Sequence, residues 1–172
     1  MEWIFVDGGS TDRTRELLED YRARFPELIC VLENPHRTVP YAMNIGIRAS
    51  RGEYIIRLDV HAEYAPDYFS SCISVLCLTG ADNAGGVMVT KARTRAGRTI
   101  AKLVSSSFGV GNSGFRTGAS DGFTDTVPFG AFRREIFRRV GLYDERLTRN
   151  QDSELNYRII RGLSLIHISE PT

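Results

Sequence analysis

The chain has 172 residues, 42% hydrophobic and 25% charged, the make-up of an ordinary folded domain with room for one core. Lys and Arg total 22 against 21 Asp and Glu, a formal net charge of +1. That balance excludes a polyanion-binding surface as the main function, so no nucleic-acid partner is expected, and leaves room for a local basic pocket. The three cysteines, Cys30, Cys72 and Cys77, include no C-x-x-C pair and read as reduced thiols of a cytoplasmic protein, not as a disulfide framework or zinc site. No signal peptide and no apolar run near membrane-spanning length occurs.

Taken in order, Trp3 to Val6 reads as a buried strand, and Asp7-Gly-Gly-Ser-Thr-Asp12 as a turn dense in helix-capping residues. A helix is expected from Ser10 or Asp12 to Arg24, with Leu17, Leu18 and Tyr21 as its apolar stripe and Pro26 beyond its end. Leu28 to Leu32 is a second strand. Pro40 suits the first turn of a helix running to Ala49, stopped by Gly52. Tyr54 to Leu58 is a third strand, Asp67 to Leu78 a helix holding Cys72 and Cys77 in the core, and Ala84 to Val89 a fourth strand. Strands alternating with helices predict an α/β domain whose mostly parallel sheet is flanked by helices. After residue 90 the pattern changes: a helix over Ile100 to Phe108, a glycine-rich loop from Gly109 to Arg116, a strand or turn over Asp125 to Gly130, a short helix over Arg133 to Val140, a loop over Leu142 to Arg149, and a last helix over Asp152 to Arg161.

The stretch Glu53-Tyr-Ile-Ile-Arg-Leu-Asp-Val-His61 carries the most chemistry. Its apolar strand runs into Asp59, and His61 follows two residues later, on the same side if the segment stays extended. A buried strand ending in a carboxylate is where an open α/β sheet places its ligand. Two readings fit: a metal-assisted nucleotide-diphosphate site, or an Asp59 that caps the next turn beside a surface His61. Gly109-x-Gly111-x-x-Gly114 has dinucleotide-fingerprint spacing but follows a helix pattern, not a strand, and no phosphate-binding Gly-Lys-Ser/Thr loop is present.

Five segments in order, Val6-Asp-Gly-Gly-Ser-Thr-Asp12, Asn44-Ile-Gly, Gly52-Glu-Tyr-Ile-Ile-Arg-Leu-Asp59, Phe132-Arg-Arg and Gln151-Asp-Ser-Glu154, resemble the signature of the family 2 inverting glycosyltransferases with the GT-A fold. The similarity spans roughly residues 3 to 161. Leu58-Asp-Val-His-Ala-Glu-Tyr64, Phe108-Gly-Val-Gly-Asn-Ser113 and Asp125 to Arg134 look like the bacterial exopolysaccharide glucosyltransferases of the succinoglycan type.

The resemblance implies roles. Asp7 would accept a hydrogen bond from a pyrimidine N–H or ribose hydroxyl, with Gly8 and Gly9 permitting close ligand approach; turn formation competes with that role. Asp59 matches the first carboxylate of the family's Asp-x-Asp motif, and His61 stands where the second is usual. The implied cofactor is a divalent cation, Mn²⁺ or Mg²⁺, imidazole suiting the former better. Glu63 is a further acidic residue nearby. Asp152 matches the catalytic base, which takes the acceptor's proton during inversion, although Asp is also a favoured helix cap. Glu154 would contact the acceptor or simply sit in the first helical turn. Arg134, beside Arg133, would pair with phosphate or lie on a solvated face. The implied substrates are a nucleotide sugar, a UDP-sugar with glucose as the sugar, and a lipid-linked or polysaccharide acceptor.

The chain departs from the family at both ends. Members carry a strand before the segment seen here and continue beyond its last helix, often with membrane helices. Residues 1–163 are therefore read as one catalytic domain lacking its first strand and its C-terminal part, with membrane association, at the inner face of the plasma membrane, expected only of a full-length protein. Residues 164–172 resemble translated read-through of a sequencing adaptor and are read as a non-native tail. Two alternatives remain beside the transferase: a sugar-phosphate nucleotidyltransferase and an inactive nucleotide-sugar-binding fragment.

Overall fold

The computed structural model describes residues 1–90, 94–104, 121–127, 129–162 and 164–169. Strand β1 (Trp3–Asp7) is followed by α1 (Thr14–Arg24), β2 (Ile29–Glu33), α2 (Val39–Ala49), β3 (Tyr54–Ile56), α3 (Tyr68–Thr79) and β4 (Asn83–Gly86). Then come α4 (Arg95–Val104), β5 (Gly122–Phe123), β6 (Ala131–Arg133), α5 (Arg134–Val140), α6 (Gln151–Arg161) and β7 (Ile166–Ser169). The expected glycine-rich loop, Gly109 to Arg116, lies outside the described residues, as does the end of the helix expected to reach Phe108.

The α/β class holds, but the sheet is mixed where a mostly parallel one was expected. β1 and β2 pair in parallel as a two-stranded sheet. The other five strands lie in the order β3-β6-β4-β7-β5. β4 and β7 are parallel; β6 runs antiparallel to both β3 and β4, and β5 antiparallel to β7. Beyond residue 90 the strands are two to four residues long. Segments that short show too little alternation to reveal their direction in the sequence.

Helix starts and stops follow local chemistry. Pro40 sits in the first turn of α2, where its fixed φ costs nothing, and is buried. Gly80 ends α3 with a left-handed φ of 70°. α1 departs from expectation: it buries no residue, and Leu17 and Tyr21 are 48% and 49% exposed. A two-stranded sheet offers too narrow a face to cover its apolar stripe.

The main core joins Ile47 of α2, Phe132 of β6, Ile136 and Phe137 of α5, Leu155 and Ile159 of α6, and Ile166 and Ile168 of β7. Each such aliphatic side chain contributes roughly 1.5–3 kcal/mol on burial. A second cluster gathers Cys72 and Leu76 of α3 against Ala81, Ala84 and Ala131. Burial pushes the Cys72 thiol up to about 11. Cys77, expected beside it in the core, is exposed. Positions 72 and 76 share one helical stripe, and the next residue turns about 100° away from it.

Residues 164–169, set apart from the fold in the sequence reading, contribute β7 between β4 and β5. Behind the sheet a polar chain ties three segments together. The Asn83 amide donates to Asn156 Oδ1 at 2.8 Å, and the Asn156 amide donates to Thr126 Oγ1 at 2.7 Å. Gly130 lies so close that a Cβ there would stand 2.2 Å from Asn83 Oδ1. These contacts tie Thr126 and Gly130 to β4 and α6.

Candidate active site

β3 ends at Ile56, and the Arg57 N–H still reaches the Gly130 carbonyl at 3.2 Å. The Arg57 side chain then joins two carboxylates. Nε donates to Asp59 Oδ1 at 2.9 Å, Nη2 to Asp59 Oδ2 at 3.3 Å, and Nη1 to Asp152 Oδ1 at 2.6 Å. Arg57 is 8% exposed. The Phe129 ring lies against it, 5.5 Å from the guanidinium carbon. Phe129 has a left-handed φ of 49°, unusual for an aromatic residue, and the Tyr68 hydroxyl donates to its carbonyl at 2.8 Å. Burial works against the charge on Arg57, but the hydrogen bond to Asp59 and the negative charges of Asp152 and Asp59 outweigh it, so its pKa is raised and it stays cationic.

The Asp59–His61 segment is a turn, not the extended run expected, with Val60 at its exposed tip. The two side chains still approach: His61 Nε2 lies 4.0 Å from Asp59 Oδ2. The Asp59 N–H donates to the Tyr64 hydroxyl at 2.8 Å, which anchors the turn. Among the described residues no group of three His, Cys, Asp or Glu gathers at metal-binding spacing. Asp59 and His61 by themselves offer two ligand groups, so any cation held there would need its other ligands from substrate oxygens and water. Glu63 is exposed.

Asp152 is not the helix cap. That position belongs to Asn150, at φ 59°, and Asp152 is the second residue of α6. Its carboxylate faces Arg57, 95 positions away in sequence. Burial raises its pKa, against the opposing pull of Arg57. Behind the pair, Tyr143 is 3% exposed, with its hydroxyl enclosed. Asp152 and Arg57 are its charged neighbours, and burial raises the phenol's pKa.

Asp7, Gly8 and Gly9 form the turn after β1 and are not part of this hydrogen-bonded group. Both Asp7 oxygens accept from its own turn: Gly9 N–H at 3.2 Å, Ser10 N–H at 3.1 Å and the Ser10 hydroxyl. The Ser10 hydroxyl is the main reason its pKa is lowered. Gly9 is left-handed at φ 85°, and a Cβ on it would meet the Arg37 guanidinium at 3.4 Å.

Glu154 and Arg134 are engaged in structural contacts. Glu154 accepts from Arg158 Nε at 2.6 Å and Nη2 at 2.7 Å. Arg158 in turn donates to the Leu142 carbonyl at 2.8 Å, closing the end of α5. Arg134 donates to the Gly52 carbonyl at 2.8 Å and to Ser50 Oγ at 2.7 Å. It thus grips the turn that enters β3, at the opposite end of that strand from Asp59. Arg133 donates to the Leu76 and Ala81 carbonyls around the end of α3.

The sequence reading missed Arg57 and Tyr143. The signal for Arg57 was present: a cation inside an apolar strand, two residues before the carboxylate, must find a counter-ion there. Tyr143, in a loop with no periodicity, offered none.

Helices packed on a sheet whose third strand delivers a carboxylate at its end, with a second carboxylate brought to it from a late helix, define a GT-A glycosyltransferase domain. A family model, "Glycosyl transferase family 2", matches residues 1–141, and the chain belongs to that family. It is 34% identical over 171 residues to the succinoglycan biosynthesis protein ExoA of Rhizobium meliloti (strain 1021), covering 98% of this chain and 52% of the relative. It is 26% identical over 166 residues to a dolichyl N-acetyl-α-D-glucosaminyl phosphate 3-β-D-2,3-diacetamido-2,3-dideoxy-β-D-glucuronosyltransferase of Methanococcus voltae, covering 93% and 52%. The chain thus spans about half the length of the curated relatives it matches. Among solved structures, a mannosyltransferase, PcManGT of Pyrobaculum calidifontis, in complex with GDP-Man and Mn²⁺, superposes with a TM-score of 0.65 at 18% identity, covering 99% of this chain and 45% of that one. S. aureus TarS 1-349 in complex with UDP gives 0.59 at 13% identity, covering 99% and 51%. At such identities the structures establish the fold.

Proposed function

We propose that this chain carries the donor-binding and base-bearing part of an inverting glycosyltransferase of bacterial exopolysaccharide synthesis. It moves a sugar, glucose in this reading, from a nucleotide diphosphate to a lipid-linked or polysaccharide acceptor. The observation that carries the proposal is the convergence of Asp59 and Asp152 on Arg57. One carboxylate ends the strand where an α/β sheet presents its ligand, and the other opens a helix 93 positions later.

In this mechanism Asp59 and His61 would hold a divalent cation, Mn²⁺ or Mg²⁺, which would supply positive charge against the leaving diphosphate. Asp152 accepts the proton of the acceptor hydroxyl as its oxygen attacks the anomeric carbon. Its raised pKa makes it a stronger base than an exposed aspartate. Asp7, with Gly8 and Gly9, would read the nucleobase and ribose of a UDP-sugar, whose N–H or O–H donor competes for the Asp7 carboxylate with the bonds from Ser10. Glu154 and Arg134 act indirectly, by holding α6 and the entry to β3.

A sugar-phosphate nucleotidyltransferase is not the family to which the chain belongs. No helix among the described residues is long and apolar enough to cross a membrane. We place the full-length protein at the inner face of the plasma membrane, where cytoplasmic nucleotide sugars meet lipid-linked acceptors.

Calorimetry with UDP, with and without Mn²⁺, on the chain and on Asp59→Ala tests the reading. Binding that requires both Mn²⁺ and Asp59 is expected. UDP binding that is indifferent to both would remove the metal site, and no binding by the folded chain would remove the donor assignment.

A further inference from the structure

The guanidinium of Arg57 is placed more tightly than an ion pair at a protein surface needs to be. Three of its nitrogens donate, to three oxygens of two carboxylates, at 2.6, 2.9 and 3.3 Å. One side is covered by Phe129, whose backbone is kept left-handed and tied to Tyr68. Strain of that kind persists only where the surroundings over-determine it. Tyr143, 3% exposed, encloses the pair with a buried hydroxyl that interacts with both Asp152 and Arg57.

We propose that Arg57 is a positioning residue that fixes the base carboxylate of Asp152 relative to the metal-facing carboxylate of Asp59. The inference rests on the glycosyl-transfer reading and adds the residue that spaces its two halves. Inverting attack requires the acceptor's proton to leave on one side while the donor's diphosphate is held on the other. The two carboxylates come from a strand end and a helix start and share no hydrogen bond with each other. A planar fork with fixed nitrogen spacing sets their relation; a single ammonium cannot bond both in the same geometry. Arg57 also bonds both Asp59 oxygens and so fixes the orientation of that carboxylate, whose Oδ2 lies 4.0 Å from His61 Nε2. Residues that orient metal-ligating carboxylates in this way are typically worth 10–100-fold in metal affinity or activity.

The test uses the full chain with Arg57→Lys, which keeps the charge and loses the fork, and Arg57→Ala with added guanidine hydrochloride at millimolar concentration. Arg57→Lys is expected to fold, to shift the ¹³C carboxyl resonance of Asp152 at fixed pH, and to lower kcat on the order of 10–100-fold. Guanidinium is expected to restore part of the loss in Arg57→Ala. An Arg57→Lys chain with an unmoved Asp152 resonance overturns the proposal, and so does one with wild-type kcat. If the wild-type chain transfers no sugar, the transfer reading fails, and the Asp152 resonance still decides whether Arg57 places that carboxylate.

Discussion

Asn44 and Tyr143, 99 positions apart, are joined through both faces of one side-chain amide. Asn44 Nδ2 donates to the Tyr143 carbonyl at 2.9 Å, and the Tyr143 N–H donates to Asn44 Oδ1 at 2.9 Å. Nδ2 also reaches Glu145 Oε1 at 2.8 Å. Asn44 is 1% exposed, so these groups have no water to replace a lost partner. The amide thus pins the loop that sets Tyr143 behind Asp152. Asn44→Ala is expected to leave a backbone donor and acceptor unpaired and to cost about 2–4 kcal/mol. Urea unfolding of the two chains measures it, and a cost below about 0.5 kcal/mol would show that the loop is held by something else.

Asp152 makes a pH prediction with a definite sign. A base works in its deprotonated form, so the rate falls as pH drops through its pKa. Burial, only partly offset by Arg57, raises that pKa above the ordinary 3.8. The acid limb of the kcat profile is therefore expected to inflect above pH 3.8. Asp152→Asn is expected to lower kcat by about 10²–10⁴ without unfolding the chain. A variant of unchanged rate, or a limb that stays where it was in Asp152→Asn, would remove the base from this residue.

The fold and the site were legible in the sequence to different depths. Up to β4, apolar runs punctuated by Pro26, Pro40 and Gly52 place every element within a few residues. Past residue 90 the strands are too short for period or direction to show, and β6 enters antiparallel between β3 and β4. Asp59 stood out because it follows an apolar strand, although the residues alone also fit a turn cap. Its link to Asp152 through Arg57 was not legible, because the Arg57–Asp152 contact spans 95 positions and leaves no local trace. Arg134 is a different case: two adjacent arginines suggest a phosphate site or a solvated face, and here Arg134 bonds the Gly52 carbonyl and Ser50 Oγ.

Arg134 therefore carries its own prediction. Its bonds go to Gly52 and Ser50, which lead into β3. Arg134→Ala is expected to lose about 1–2 kcal/mol of stability, the net worth of two charge-assisted bonds at a partly exposed site, and to leave UDP affinity unchanged. Calorimetry alongside urea unfolding separates the two effects. A large loss of affinity at unchanged stability would return Arg134 to the phosphate.

Ile168 decides how residues 164–172 relate to the domain. The sequence reading sets this segment apart, and a tail outside the fold would accept any substitution there at no cost. In the structure Ile166 and Ile168 are each 1% exposed, while His167 and Ser169 point to the other face, the alternation of a strand with one buried side. Ile168 packs in the cluster with Leu155 and Ile159 of α6, the helix that presents Asp152. Ile168→Ala is therefore expected to cost about 2–5 kcal/mol, from lost apolar burial and the cavity left behind. If Ile168→Ala unfolds at the same urea concentration as the parent chain, β7 contributes nothing to the core and residues 1–163 fold without it. If the cost appears, α6 leans on β7, and any catalytic assay of a shortened chain must first show that Asp152 is still held in place.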